Sequence, residues 1–66
     1  MTLDELITSH GFNPKSFARD AGIERESLRQ YRRGLSIPSL DNASKIAKTL
    51  GVSIETVHDC CKKKEN

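Results

Sequence analysis

The fold of this chain is decided by the segment Asn13–Gly34, which reads NPKSFARDAGIERESLRQYRRG. The segment predicts two short helices joined by a glycine turn. Asn13 is a good N-cap, and Pro14 suits the first helical position, because its missing N–H would have no helical partner there. Gly22 can adopt the left-handed conformation that ends the first of these helices sharply. Ile23 is expected to anchor the turn in the core.

The second of these helices, expected to run from Glu24 or Arg25 to Arg33, carries a row of like charges. At about 100° per residue, Leu28 and Tyr31 share its inward face. The ridge of arginines spaced i, i+4 and i+8 is Arg25, Arg29 and Arg33, and Glu26 and Gln30 also point outward. Because such arginines repel by roughly 0.2–0.5 kcal/mol per pair, the ridge predicts an anionic partner. Two helices around a glycine turn are the layout of DNA-binding helix-turn-helix motifs, whose second helix enters the major groove.

Two alternative roles for this surface stay open. It is a plain solvated face if Glu26 only bridges to Arg29 or Gln30. It belongs to a protein-binding adaptor, or to an antitoxin-type partner, if Leu35 and Ile37 form a docking patch and the domain does not touch DNA. The arginine ridge favours double-stranded DNA as the partner, because an adaptor has no need of it.

Length and composition bound the answer. The chain has 66 residues and 35% hydrophobic residues, which predicts one small domain and no second one. Its net charge is only +2, yet residues 13–34 hold six basic and three acidic side chains. Positive charge is therefore concentrated in the motif. We expect the domain to span residues 1–61 and to be followed by a charged, frayed tail at residues 62–66.

Three more helices are predicted outside the motif, which makes the fold class all-α: a compact five-helix bundle without strands. Thr2 and Glu5 form a capping box at the start of the first helix. Ser39 and Ser53 are expected to cap the fourth and fifth helices. The predicted apolar stripes are Leu3, Leu6 and Ile7 in the first helix, Leu40, Ala43, Ile46, Ala47 and Leu50 in the fourth, and Ile54 and Val57 in the fifth.

No secretory or membrane-spanning apolar stretch is recognised, so we expect a cytoplasmic, nucleoid-associated protein without a membrane partner. Cys60 and Cys61 are adjacent, where a disulfide would be strained, and are expected to be reduced. His10 and His58 do not complete a zinc ligand set with them, so no metal and no cofactor is expected. Ser, His and Asp are present without a predicted pocket or oxyanion hole, so an enzyme is not expected.

At the level of motifs, the chain resembles the lambda-repressor/Cro-like helix-turn-helix family, also called the XRE family, from Leu3 to Val57. The resemblance rests on F-N-P-x-x-F-A-x-x-A-G-I, on S-L-x-x-Y-x-x-G, and on P-S-L-x-x-x-x-K-I-A-x-x-L-G-V-S-I. It implies a lambda-repressor-like DNA-binding domain of five helices. It further implies a Cro-like repressor that binds a palindromic operator as a homodimer, formed in solution or only on DNA.

The same resemblance implies roles for residues at matching positions. The base-contacting residues would be Arg25, Glu26, Arg29 and Gln30. The residues that contact the DNA backbone would be Asn13, Pro14, Lys15, Ser27 and Arg33. Candidate dimer contacts are Leu35, Ile37 and the fifth helix near Val57 and His58.

The chain departs from the family pattern at Arg32, where a glutamate that pairs with the first helix is frequent. Ile7 stands at the partner position, so this pairing is expected to be lost. Arg32 itself is expected to reach solvent or to pair with a nearby acid. Tyr31 is expected at the edge of the core, with its hydroxyl able to reach a phosphate.

Overall fold

Five α-helices make up the computed structural model, which describes residues 2–61. They are α1 (Leu3–Ser9), α2 (Phe17–Ala21), α3 (Arg25–Arg32), α4 (Leu40–Leu50) and α5 (Ile54–Cys61). No strand occurs in this part of the chain, and the predicted all-α, five-helix fold is confirmed. The charged tail predicted at residues 62–66 lies outside the described residues.

The predicted helix caps at Thr2, Ser39 and Ser53 are all formed. Thr2 Oγ1 accepts the N–H of Glu5 at 3.2 Å, and the Thr2 N–H donates to Glu5 Oε1 at 2.8 Å, which completes the capping box. Ser39 Oγ accepts the N–H of Asn42 at 3.3 Å, and Ser53 Oγ accepts the N–H of Thr56 at 3.2 Å. Each bond satisfies an N–H that has no partner within its helix.

The predicted start of α2 is wrong. The helix begins at Phe17, and residues 14–16 form a turn before it. Asn13 Oδ1 accepts the N–H of Lys15 at 2.9 Å, and the Asn13 carbonyl accepts the N–H of Ser16 at 3.1 Å. A short amide side chain bonded two residues ahead favours a turn over a helix, so Asn13 stabilises the turn and does not cap α2.

The core lies where the five helices meet, and its side chains come from all of them: Leu3, Leu6, Ile7, Phe17, Ala18, Ala21, Leu28, Tyr31, Ala43, Ile46, Ala47, Leu50, Val57 and Cys61. Phe17 is fully buried and meets the half-buried ring of Phe12 edge to face, with 5.3 Å between the ring centroids. Such pairs are favoured by the ring quadrupoles beyond the area that they bury.

Leu40, predicted in the core stripe of α4, is 71% exposed, so that prediction is wrong. It is the first residue of the helix, one turn before Ala43, and the neighbouring helices cover the stripe only from Ala43 onward. Pro38, just before the helix, is buried. Helical spacing identifies the buried face of α4, but it does not show at which residue along the helix that burial begins.

The two cysteines differ in burial. Cys61 is 2% exposed and belongs to the core, which its place at the end of the predicted domain does not suggest. Burial raises the pKa of Cys60 above its usual value and that of Cys61 to about 11. Both are free thiols. Within residues 2–61, no three His, Cys, Asp or Glu side chains come together as a metal site requires, and no helix is long and apolar enough to cross a membrane.

Candidate nucleic-acid interface

The turn between α2 and α3 has the predicted geometry. Gly22 has φ of 73° and ψ of 35°, a left-handed conformation that a side chain would strain. The N–H groups of Gly22 and Ile23 both donate to the carbonyl of Ala18, at 2.9 and 3.0 Å. This pair of hydrogen bonds closes α2 tightly and fixes the direction from which α3 begins.

One face of α3 is buried and the other is open. Leu28 and Tyr31 are 2% and 7% exposed, as the helical spacing predicts. The exposed residues of α3 and its C-cap are Arg25, Glu26, Arg29 and Arg33, whereas Ser27 and Gln30 are partly buried. The arginine ridge therefore lies on the surface of a helix that is held in place from behind.

Glu26 bridges within this exposed face. Arg29 Nη1 lies 3.9 Å from Glu26 Oε1, and Gln30 Nε2 donates to Glu26 Oε2 at 3.4 Å. The side chains of Arg29 and Glu26 are 63% and 70% exposed. Ion pairs this exposed and this long contribute little and are screened by salt. The local bridge expected of a solvated face is therefore present, and it leaves the ridge accessible.

A cleft of about 650 Å³ runs beside α3, toward α1 and α2. Its basic lining consists of Lys15, Arg25, Arg29, Arg32 and Arg33, and two carboxylates face it, from Asp4 and Glu26. The structure thus brings together two of the predicted backbone-contacting residues and three of the predicted base-contacting ones. Asn13, Pro14, Ser27 and Gln30 do not line this cleft.

The pairing between the first and third helices, predicted to be lost, is present in another form. Arg32 Nε donates to Asp4 Oδ1 at 2.6 Å, and Nη2 donates to Oδ2 at 3.5 Å. The acid is Asp4, in the first turn of α1. Ile7, the residue from which the loss of the pairing was predicted, lies in the core. The expectation that Arg32 would pair with a nearby acid is confirmed.

Tyr31 faces α4, and contact of its hydroxyl with a phosphate stays a prediction, because an oxygen that accepts one hydrogen bond can still donate its own O–H. Its Oη accepts a hydrogen bond from Asn42 Nδ2 at 2.7 Å, which links α3 to the first turn of α4. The predicted core position of the ring is correct. Its hydroxyl is engaged because a buried phenol oxygen needs a polar partner.

A family model described as helix-turn-helix matches residues 3–57. The chain belongs to this helix-turn-helix family. The matched residues coincide with the stretch from Leu3 to Val57 on which the sequence resemblance rests. The chain is also 43% identical, over 42 residues, to an uncharacterized HTH-type transcriptional regulator of Haemophilus influenzae. That match covers 64% of this chain and 18% of the relative, so the chain spans less than a fifth of the relative's length. No solved structure matches the chain.

Membership of the helix-turn-helix family indicates a DNA-binding domain and not an enzymatic one. In the chain's helix-turn-helix, α2 and α3 are the two helices of the motif. The exposed ridge belongs to the second of them, which in such motifs enters the major groove.

Outside the cleft, the helix-turn-helix domain exposes three large apolar side chains close together in sequence. Leu35 is 57% exposed, Ile37 51% and Leu40 71%. Leu35 and Ile37 are predicted dimer contacts, and their exposure is compatible with that role. Val57, predicted beside a dimer contact, is 0% exposed and cannot contact a partner, whereas His58 next to it is exposed.

Proposed function

We propose that this helix-turn-helix domain is a sequence-specific, double-stranded-DNA-binding transcriptional regulator, a Cro-like repressor that places α3 in the major groove. The observation that carries the proposal is the arginine ridge of α3. The ridge is exposed, it borders a basic cleft, and it stands on a helix anchored from behind by Leu28 and Tyr31. The bound domain would repress transcription by blocking access of RNA polymerase to the DNA. The protein would act in the cytoplasm, on the nucleoid.

The base edges are read by Arg25, Glu26, Arg29 and Gln30. Arginine can donate two hydrogen bonds to guanine O6 and N7, glutamine can pair with adenine N6 and N7, and glutamate can accept from cytosine N4. Arg29 and Gln30 both contact the carboxylate of Glu26, so the polar ends of the three side chains lie close together. This favours reading of adjacent bases by one cluster.

The DNA backbone is held by Asn13, Pro14, Lys15, Ser27 and Arg33. The first three lie in the turn before α2 and Arg33 at the end of α3, so the contacts flank the reading helix. Contacts to phosphates fix the register of a protein on DNA without reading its sequence. Lys15 and Arg33 line the same basic cleft as Arg25 and Arg29, so they lie next to the proposed base-reading side chains.

Two copies act together on a palindromic operator. The 8 residues of α3 span roughly 12 Å, the length of about four base pairs, which is too short a site for useful specificity. Two half-sites about one helical turn apart would double the contacts. Leu35, Ile37, Leu40 and His58 are the exposed candidates for the contact between copies, either in solution or only on DNA.

The stoichiometry is testable by sedimentation with an operator-length duplex. We expect two chains per duplex at saturation. Replacing Ile37 by lysine should reduce this number while the helical content stays unchanged. A one-to-one complex at saturation would refute the dimer.

The function itself is tested by selecting duplexes from a random-sequence pool with the full chain. Fluorescence anisotropy at about 100 mM salt then compares a selected duplex with a scrambled one, because nonspecific affinity varies steeply with salt. We expect at least about tenfold tighter binding of the selected duplex. A chain that keeps its helical circular dichroism spectrum and binds neither duplex would refute DNA binding.

That last outcome would favour a second candidate, a protein-binding adaptor or antitoxin-type partner. The exposed side chains of Leu35, Ile37 and Leu40 are the observation in its favour. In that case lysine at Ile37 would abolish capture of the partner, and alanine at Arg29 would leave it unchanged.

A further inference from the structure

Among the cations that line the cleft in the described part of the chain, Arg32 has the shortest ion pair. Both oxygens of Asp4 face its Nε and Nη2, at 2.6 and 3.5 Å. The other ion pair that reaches the cleft, between Arg29 and Glu26, is 3.9 Å long. Asp4 therefore occupies one edge of the guanidinium in the two-point geometry in which arginine also binds a phosphate.

The pair is accessible from the cleft. The side chains of Arg32 and Asp4 are 25% and 46% exposed, and both line the cleft together with Lys15, Arg25 and Arg33. A phosphate attracted by these other cations would thus come within reach of Arg32. It would meet a guanidinium whose charge the carboxylate already cancels.

We propose that Arg32 is a further ligand of the DNA backbone and that Asp4 competes with the DNA for it. The Asp4 carboxylate takes the place of a phosphate on the guanidinium and so weakens DNA binding. The inference rests on the proposed function. It adds a DNA contact from a side chain that looks purely structural, and it gives α1 a part in setting affinity.

Counterion release gives the inference a measurable signature. Each additional phosphate neutralised by a cation steepens the dependence of log K on log salt by about 0.9. Removing the carboxylate should release Arg32 for one such contact. The gain in affinity over wild type should then shrink by a factor of about 3.5 between 50 and 200 mM salt.

The variant to test is Asp4→Asn, which preserves size and removes the charge. The capping box is made by Thr2 and Glu5, so the start of α1 keeps its hydrogen bonds. Dissociation constants for one fixed duplex are measured across the salt range for wild type, Asp4→Asn, Arg32→Gln and the double variant. Asp59→Asn serves as the charge-matched control, because Asp59 is exposed on α5 and does not line the cleft.

The inference predicts a slope steeper by about 0.9 for Asp4→Asn than for wild type. It predicts no such difference between the double variant and Arg32→Gln alone, and none for Asp59→Asn. Equal steepening with and without Arg32 would show general repulsion by the carboxylate and refute the inference. Weaker binding by Asp4→Asn, at unchanged helicity, would also refute it and make Asp4 a residue that positions Arg32.

The same measurements separate this inference from the proposed function. If wild type binds and Asp4→Asn gains nothing, only the inference about the Asp4–Arg32 pair fails. If no variant binds duplex DNA, the proposed function fails and the inference with it.

Discussion

Replacing Arg29 with alanine separates reading of the sequence from holding of the DNA. The side chain is 63% exposed, and its ion pair to Glu26 spans 3.9 Å. Loss of so exposed a pair costs folding about 0.5 kcal/mol or less, and alanine is the better helix former. The variant should therefore fold as wild type does, and any loss of affinity reports the contact with DNA.

The size of that loss depends on what Arg29 contacts. If it donates two hydrogen bonds to a guanine, its removal costs about 1–3 kcal/mol on the selected operator, or roughly 5- to 160-fold in affinity. On a scrambled duplex the loss should be much smaller, because the specific contact is not made there. Preference at one base position should flatten, since only that base loses its partner.

Asn13→Ala is the matched control for a residue that holds DNA. It should weaken the selected and the scrambled duplex by similar factors, because a phosphate contact carries no sequence information. Its cost to folding should stay within about 1.5 kcal/mol, since the side chain makes one hydrogen bond in an exposed turn and does not cap α2.

The assay is fluorescence anisotropy at one fixed salt concentration, with the selected duplex, a scrambled duplex and a set of single-base substitutions. Urea denaturation of each variant checks that its fold is retained. If Arg29→Ala weakens both duplexes equally, Arg29 is a phosphate clamp, and the reading face of α3 is rotated by one position from the one proposed.

Three further predictions concern the fold. Arg32→Leu should leave the free energy of unfolding within about 1 kcal/mol of wild type, or raise it, because its pair with Asp4 is partly exposed; a urea-measured loss above about 3 kcal/mol would mean that a buried charge had been stranded. Gly22→Ala should destabilise by about 1–2 kcal/mol in thermal unfolding, because φ of 73° is strained for any residue with a Cβ, and an unchanged melting temperature would contradict this. The thiol of Cys61 has its pKa raised from 9.0 to about 11, so its contribution to stability is full below pH 9 and is lost as pH rises toward 11, where the unfolded thiol has already ionised. Denaturation against pH should show that fall in wild type and a smaller one in Cys61→Ala, and identical profiles would refute the assignment.

Much of the fold could be predicted because its decisive signals are local. Thr2 with Glu5, Ser39 and Ser53 each act within one helical turn, and Gly22 acts on its own backbone. Predictions from local patterns were wrong where a side chain bonded to a different backbone group than expected, or where no neighbouring helix was present to bury it. Asn13 bonds two residues ahead and delays α2, and no neighbouring helix covers Leu40.

The candidate site could be predicted only in part, for the same reason. The inward face of α3 follows from spacing, and Leu28 and Tyr31 confirm it. The bond between Asp4 and Arg32 joins residues 28 positions apart, and no local pattern reveals it. The raised pKa of Cys61 likewise depends on its burial in the core, which no local pattern reveals.

These long-range contacts explain how α3 can carry the proposed reading face at little cost to stability. At 8 residues the helix is too short to form alone, so its structure depends on what holds it. Leu28 and Tyr31 hold it through the core, Tyr31 reaches Asn42 in α4, and Arg32 reaches Asp4 in α1. All three side chains lie from the middle of α3 to its end. The exposed ridge, by contrast, contributes only a weak pair to folding. If the ridge reads the bases as proposed, substitutions on it change which DNA is bound while the helix stays in place. Substitutions behind it would instead change the orientation of the whole proposed reading face.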